Sequence, residues 1–205
     1  MDKLEVPVYL ITGFLESGKT SFLQEIFESG EFADGERGLL ISCEEGEVEL
    51  DEKATMACKI DTVTLDEEEE LTADFLENCK NVYKPKRVFV EYNGMWDPAL
   101  FNGNCKAVWL ADLPVHYTGE RRNLGVQWAN MKSIMAEMVK NVDMVIFNRC
   151  SSGMDLGSYR RSMKALNSYV QIVFEDKNGD MMSIAEQLPY DVNANVIEVD
   201  DCDYG

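Results

Sequence analysis

An apolar run, Val6-Pro7-Val8-Tyr9-Leu10-Ile11, leads into Gly13-Phe14-Leu15-Glu16-Ser17-Gly18-Lys19-Thr20, and Phe22, Leu23, Ile26 and Phe27 then recur at helical spacing. That order predicts a buried strand, a glycine-rich loop and a helix with one apolar face that stops near Gly30. The loop carries the complete Gly-x4-Gly-Lys-Thr pattern of a phosphate-binding loop, or P-loop. A Gly-Lys-Thr met by chance in a surface turn would have neither the strand before it nor the helix after it. The glycines let the backbone curl until its N–H groups point at a β-phosphate. Lys19 then reaches the β- and γ-phosphates, and the Thr20 hydroxyl binds Mg²⁺. Contacts to the nucleotide are expected from Gly13, Glu16, Ser17, Gly18, Lys19, Thr20 and Ser21. Glu16 is unusual, because a carboxylate in this loop repels phosphate; it is expected to face outward, toward solvent or a partner chain.

Further strands are predicted over 38–43, 60–65, 87–91, 107–110, 142–147 and 170–174. Asp66 is expected to cap a helix whose first turn holds Glu67 to Glu70 and whose apolar face is Leu71, Phe75, Leu76 and Cys79. Helices are also predicted over 128–140, where Trp128, Met131, Ile134, Met135 and Met138 share a face, and over 155–167. Strands alternating with helices predict an α/β fold with a doubly wound, mainly parallel sheet, the fold of P-loop NTPases. Residues 1–194 are expected to form the nucleotide-binding domain. Residues 195–205 begin like a strand and stop, and are expected to be the start of a truncated C-terminal segment.

The net charge of −19 bears on partners. A phosphate backbone would be repelled, which argues against a general nucleic-acid binder. One nucleotide is still bindable, because a P-loop neutralises phosphate with backbone N–H groups, a lysine and Mg²⁺. No stretch reaches the roughly 20 apolar residues of a membrane helix. The start, Met1-Asp2-Lys3-Leu4-Glu5, lacks a secretory pattern, so the cytoplasm is the expected compartment. The cysteines at 43, 58, 79, 105, 150 and 202 are scattered, and reduced thiols are expected.

Val88-Phe89-Val90-Glu91 is an apolar strand ending in an acid, followed by Tyr92-Asn93-Gly94. An acid at a strand end is usually surface charge; after a complete P-loop it fits the acid that holds Mg²⁺, often through water. Three segments then resemble the CobW-like GTPases, relatives of the HypB and UreG nickel-insertion GTPases. Thr12 to Thr20 is similar to that family's Thr-Gly-Phe-Leu-Gly-Ser-Gly-Lys-Thr. Glu44-Glu45-Gly46-Glu47-Val48-Glu49-Leu50-Asp51 is similar to its Asn-Glu-Phe-Gly-Glu switch segment with a later Asp. Glu91-Tyr92-Asn93-Gly94-Met95-Trp96-Asp97-Pro98 is similar to its Glu-x-x-Gly-x-x-Asp-Pro. A strand ending in Asn148-Arg149 extends the likeness to the base site.

The resemblance implies GTP or GDP with Mg²⁺ as cofactors, Thr20 and Glu91 as Mg²⁺ ligands, and Lys19, Glu91 and Glu47 in catalysis. It implies slow GTP hydrolysis by a molecular switch that serves a protein client, in metal trafficking or metallocofactor insertion. GTP would order the segment from Glu44 to Asp51, and hydrolysis would release it. Asn148 would reach guanine O6 or N7 and Arg149 would stack on the ring.

The chain departs from the family twice. Asn148-Arg149-Cys150-Ser151 stands where the family has Asn-Lys-x-Asp, so the guanine-reading acid is missing; Asp155, further along, is a substitute to test. The metal-binding Cys-x-Cys-Cys is also absent, and the acidic run from Asp66 to Glu70 stands in its place. Cys43, Glu44 and Glu47 offer a site for Zn²⁺ or another transition metal; against it, Cys43 reads equally well as a small apolar strand residue. Cys58 joins that site or packs in the core. His116, the single histidine, excludes a histidine cluster, and Asp112 faces the site or starts a loop. Arg121-Arg122 reads as a solvated basic loop or as an arginine finger across a homodimer. Two competing readings stand beside the GTPase: a nucleotide-gated regulatory module without a metal role, and an ATP-using P-loop NTPase.

Overall fold

The computed structural model describes residues 6–44, 50–94, 96, 105–112, 136 and 139–182. Among them, seven strands form one sheet in which every neighbouring pair is parallel. The elements follow in the order β1 (Val8–Gly13), α1 (Lys19–Glu28), β2 (Gly38–Ser42), α2 (Glu52–Ala57), β3 (Ile60–Thr64), α3 (Ala73–Tyr83), β4 (Arg87–Glu91), β5 (Lys106–Asp112), β6 (Met144–Cys150), α4 (Leu156–Leu166) and β7 (Gln171–Asp176). Across the sheet the strands run β3-β2-β4-β1-β5-β6-β7.

Successive side chains on a strand face opposite sides of a sheet. Leu10, Leu39, Ile41, Val88 and Val90 enter one buried cluster, and their neighbours Ile11, Leu40 and Phe89 enter the other. Both faces are therefore covered, which is the condition under which parallel sheets occur. Leu23 and Phe27 of α1 belong to the second cluster and are 0% and 2% exposed. Each contributes roughly 1.5–3 kcal/mol by burial, which seats the start of α1 against the sheet.

From β1 the chain moves outward to β2 and β3. It returns with β4 between β2 and β1, then crosses to β5 on the far side of β1. The connections leaving β1 and β4 run in opposite directions. The crevice outside the carboxyl ends of such a strand pair is where open α/β sheets bind ligands. The opposite end of β4 is pinned by Arg87, which is buried, ion-paired to Asp34 at 2.5 Å and set over the Phe32 ring at 5.1 Å. The Arg87 guanidinium holds the Asp34 carboxyl below its ordinary pKa.

Three details differ from the sequence expectation. The acidic run is not the first turn of a helix. Glu70 turns its carboxylate back to the backbone N–H groups of Asp66 and Glu67, at 3.2 and 3.3 Å, and residues Glu68–Glu70 form a single 3₁₀ turn. Leu71 is buried in a non-helical conformation, and Thr72 then caps α3 by accepting from Phe75 N at 3.1 Å. The second difference is α2, a short helix capped by Asp51, which accepts from Lys53 N at 2.8 Å. Third, β6 begins at Met144 rather than at 142 and runs beyond its apolar stretch, past Asn148 and Arg149, to Cys150, with a register shift against β7. Of the helix expected over 128–140, Ala136, Val139 and Lys140 are described and helical. His116, Arg121, Arg122 and residues 195–205 lie outside the described residues, as does the Asp112 side chain.

Candidate functional site

β1 ends at Gly13 and the loop that follows packs tightly against its neighbours. A Cβ on Gly13 would lie 2.4 Å from Leu110 O, and one on Gly94 would lie 2.2 Å from Gly13 O. Only glycine lets the segment after β4 approach the loop this closely, which explains Gly94 in the third motif. At the loop's tip Leu15 is 69% exposed and Glu16 is exposed with φ 61°, a left-handed conformation. The carboxylate thus faces outward as expected. Holding a non-glycine residue there costs about 1–2 kcal/mol. Glu16→Gly is expected to stabilise the protein by about 1 kcal/mol in chemical denaturation. A loss of stability would show that the Glu16 side chain makes a compensating contact.

α1 begins at Lys19, and its N-cap Gly18 supplies no side-chain hydrogen bond. The other three described α-helices are all capped by their own side chains, from Asp51, Thr72 and Asp155. The first-turn N–H groups of α1 therefore lack the side-chain acceptor the other helices have, and the positive end of the helix dipole adds to them. No acid occupies that first turn. This is an anion-binding arrangement. Ser17, one residue earlier, is 1% exposed, and its hydroxyl has no partner.

The charged groups converge on this point. Lys19 is 3% exposed; its ammonium donates to Gly13 O at 3.0 Å and Phe14 O at 2.8 Å and pairs with Glu44 at 2.9 Å. Thr20 Oγ1 donates to Glu91 Oε1 at 2.5 Å, and Ser42 Oγ donates to Glu91 Oε2 at 2.9 Å. Both carboxylate oxygens of Glu91, which is 4% exposed, are thereby held between α1 and β2. The parallel register places Ser42 and Ile11 beside Glu91. Ser42 was not foreseen as a site residue: its position opposite Glu91 depends on strand order, which the local sequence does not encode.

Asn148 lies within β6 and donates from Nδ2 to Ser17 O at 2.6 Å, tying that strand to the P-loop; its Oδ1 is buried without a partner. Arg149 is exposed at φ 54°, within the register shift between Phe147 and Cys150 of β6. Asp155 is the N-cap of α4, accepting from Ser158 N at 3.0 Å, so its carboxylate serves the helix. Ser151 and Ser21 are exposed.

Of the residues offered for a transition metal, Cys43 is 2% exposed within a core cluster. Burial, then the charges of Glu91 and Glu44, push its thiol up to about 12, which disfavours the thiolate a metal needs. Burial also raises the Glu44 carboxyl, against the pull of Lys19. Glu47 lies outside the described residues, and no group of three or more His, Cys, Asp or Glu able to hold a metal occurs among the described ones. Cys58 packs in the second core cluster. No helix among the described residues is long and apolar enough to cross a membrane.

A doubly wound parallel sheet with a complete P-loop at the carboxyl end of its central strand defines a P-loop NTPase fold. The profile of the CobW/HypB/UreG nucleotide-binding domain matches residues 7–175, and the chain belongs to that P-loop GTPase family. No curated protein matches the sequence. Among solved structures, the chain is similar to the hydrogenase maturation factor HypB from Archaeoglobus fulgidus. That likeness has a TM-score of 0.60 at 13% identity and covers 87% of this chain and 85% of HypB. It is similar also to the Zn(II)-bound YjiA GTPase from E. coli, with a TM-score of 0.55 at 21% identity over 89% of this chain and 61% of YjiA. FlhF complexed with GMPPNP and Mg²⁺ gives a TM-score of 0.50 at 14% identity, over 89% of this chain and 72% of FlhF. At these identities the likeness is one of fold.

Proposed function

We propose that the chain binds GTP with Mg²⁺ at the P-loop, hydrolyses it slowly, and works as a switch for a protein partner in the cytoplasm. The observation that carries the reading is the convergence at one crevice of an uncapped helix start, Lys19, and a Glu91 carboxylate held by Thr20 and Ser42. The backbone N–H groups from Gly13 to Thr20 would bind the β-phosphate, and Lys19 would bridge the β- and γ-phosphates. The Thr20 hydroxyl and Glu91 carboxylate are oxygen donors of the kind a hard divalent cation takes, and Mg²⁺ would be held there. Bound Mg²⁺ supplies charge neutralisation at the phosphates. Slow turnover is expected where a partner completes the charge stabilisation. Residues 1–194 are the nucleotide-binding domain in this reading. HypB is a hydrogenase maturation factor and YjiA was solved with Zn(II); a role in metal trafficking here would place the metal as cargo shared with the partner.

Guanine preference is expected to survive in weakened form. One Asn148 amide hydrogen is spent on Ser17 O, and the other would reach guanine O6 or N7. Arg149 would stack on the ring. Ser151 offers a neutral hydrogen bond where an acid would accept two charge-assisted ones. That difference is about 1–2 kcal/mol, roughly tenfold or more in selectivity. Competition of GDP, ADP and XDP for the site tests it, with Ser151→Asp expected to sharpen selection for GDP. Equal GDP and ADP affinities would favour the ATP-using reading, which the engagement of Asp155 as a helix cap supports.

A further inference from the structure

We propose that Glu44 is an internal competitor of phosphate: in the nucleotide-free protein its carboxylate takes the place at Lys19 that a nucleotide phosphate takes, so nucleotide entry requires Glu44 to leave. The proposal rests on the reading of the P-loop as the nucleotide site. It concerns the affinity of that site, and the residue that sets it.

A lysine ammonium has three N–H donors and no more. At Lys19 all three are matched, by Gly13 O at 3.0 Å, Phe14 O at 2.8 Å and Glu44 Oε2 at 2.9 Å. Glu44 is the charged acceptor among them. The pair is nearly water-free, with side-chain exposures of 2% and 10%. A phosphate that is to receive a hydrogen bond from Lys19 must therefore displace one of these acceptors. The two carbonyls belong to the loop backbone that shapes the site, whereas Glu44 is a side chain from beyond β2.

Glu44 is also poorly placed apart from Lys19. Burial disfavours its charge, and Glu91 lies close enough to repel it. Once phosphate holds Lys19, Glu44 would lose the ion pair that offsets its burial while Glu91 still repels it, and it would turn out toward water. Its backbone carbonyl accepts from Ser42 Oγ at 3.3 Å, the same hydroxyl that holds Glu91. Glu44 also opens the segment from 44 to 51 that the sequence marks as a switch. Occupancy of Lys19 would thus be read out where that segment starts.

A plainer role would make Glu44 a permanent neutraliser of buried Lys19, paired with it whether or not nucleotide is bound. Under that role Glu44→Gln leaves nucleotide affinity unchanged or weakens it. Under competition the same change tightens binding, because the variant no longer gives up an ion pair on entry. Titration of a fluorescent GDP analogue with Mg²⁺ separates the two. Glu44→Gln and Glu44→Ala are expected to lower Kd about tenfold, chiefly through faster association, with Glu44→Asp in between. Their ligand-free melting temperatures should fall while the nucleotide-bound ones stay near wild type. A Kd in the folded Gln and Ala variants within twofold of wild type, or weaker, overturns the proposal and leaves the site reading standing. Failure of wild type and variants alike to bind at millimolar GDP removes both.

Discussion

Lys19→Ala is expected to abolish tight binding of GTP and GDP, by on the order of a hundredfold or more, while the sheet stays folded. Hydrogen bonds to charged groups are worth about 1.5–3 kcal/mol each, and Lys19, itself 3% exposed, would make them to two phosphates. The other contacts would come from backbone N–H groups, which the substitution leaves in place. The truncation also acts on the nucleotide-free protein. It strands Glu44, whose carboxyl burial already raises, beside Glu91 without the ammonium that paired with it. Part of any measured destabilisation would therefore come from an unpaired buried acid rather than from a damaged loop. The double variant Lys19→Ala/Glu44→Ala separates the two, since stability should recover toward wild type while nucleotide binding stays lost. Isothermal titration with GDP and Mg²⁺, alongside thermal unfolding, reads both quantities. Wild-type affinity in the folded single variant would show that the P-loop is not the nucleotide site.

What the sequence made legible, and what it did not, divides along the range of the interactions. β1, the P-loop and α1 were readable because each depends on neighbours in the chain: an apolar run, two glycines and a helical repeat. β4 was placed at 87–91 for the same reason, since a strand buried on both faces is a continuous apolar run with a boundary on either side. The extension of β6 was hidden because Asn148 and Arg149 are polar; pairing with β5 and β7 carries the strand past the apolar core. α2 spans six residues, too few for a helical period to show. The 3₁₀ turn at Glu68–Glu70 was decided by one carboxylate folding back on its own backbone, a choice that composition cannot distinguish from a helical first turn. In the site, Gly13, Lys19, Thr20 and Glu91 were each identifiable by motif. Ser42 and the Lys19–Glu44 pair were not, because they depend on β2 lying beside β4 in a particular register. Local pattern marked the residues proposed to carry the chemistry, and strand order determined which of them meet.

Glu91→Gln is expected to slow hydrolysis by about a hundredfold while weakening GDP binding by less than about tenfold. The two effects differ because the substitution preserves shape and removes charge. A glutamine oxygen still accepts from one of the two hydroxyls at Thr20 and Ser42, and its N–H₂ donates to the other, so the clamp keeps its geometry. What is lost is a negative charge next to the position where Mg²⁺ would be held. Ground-state binding would depend mainly on the backbone N–H groups and Lys19, which the change does not touch. As the γ-phosphate separates, charge moves onto the leaving oxygen, and a group that holds the cation in place matters more in that transition state than before it. The predicted signature is a fall in single-turnover rate much larger than the rise in Kd. A higher Mg²⁺ requirement should accompany it and not fully restore the rate at saturation. Excess Mg²⁺ that returns the rate to wild type would assign Glu91 to cation affinity alone. A rate within twofold of wild type at ordinary Mg²⁺ would take Glu91 out of the mechanism, leaving its place between Thr20 and Ser42 as a structural link between α1 and β2.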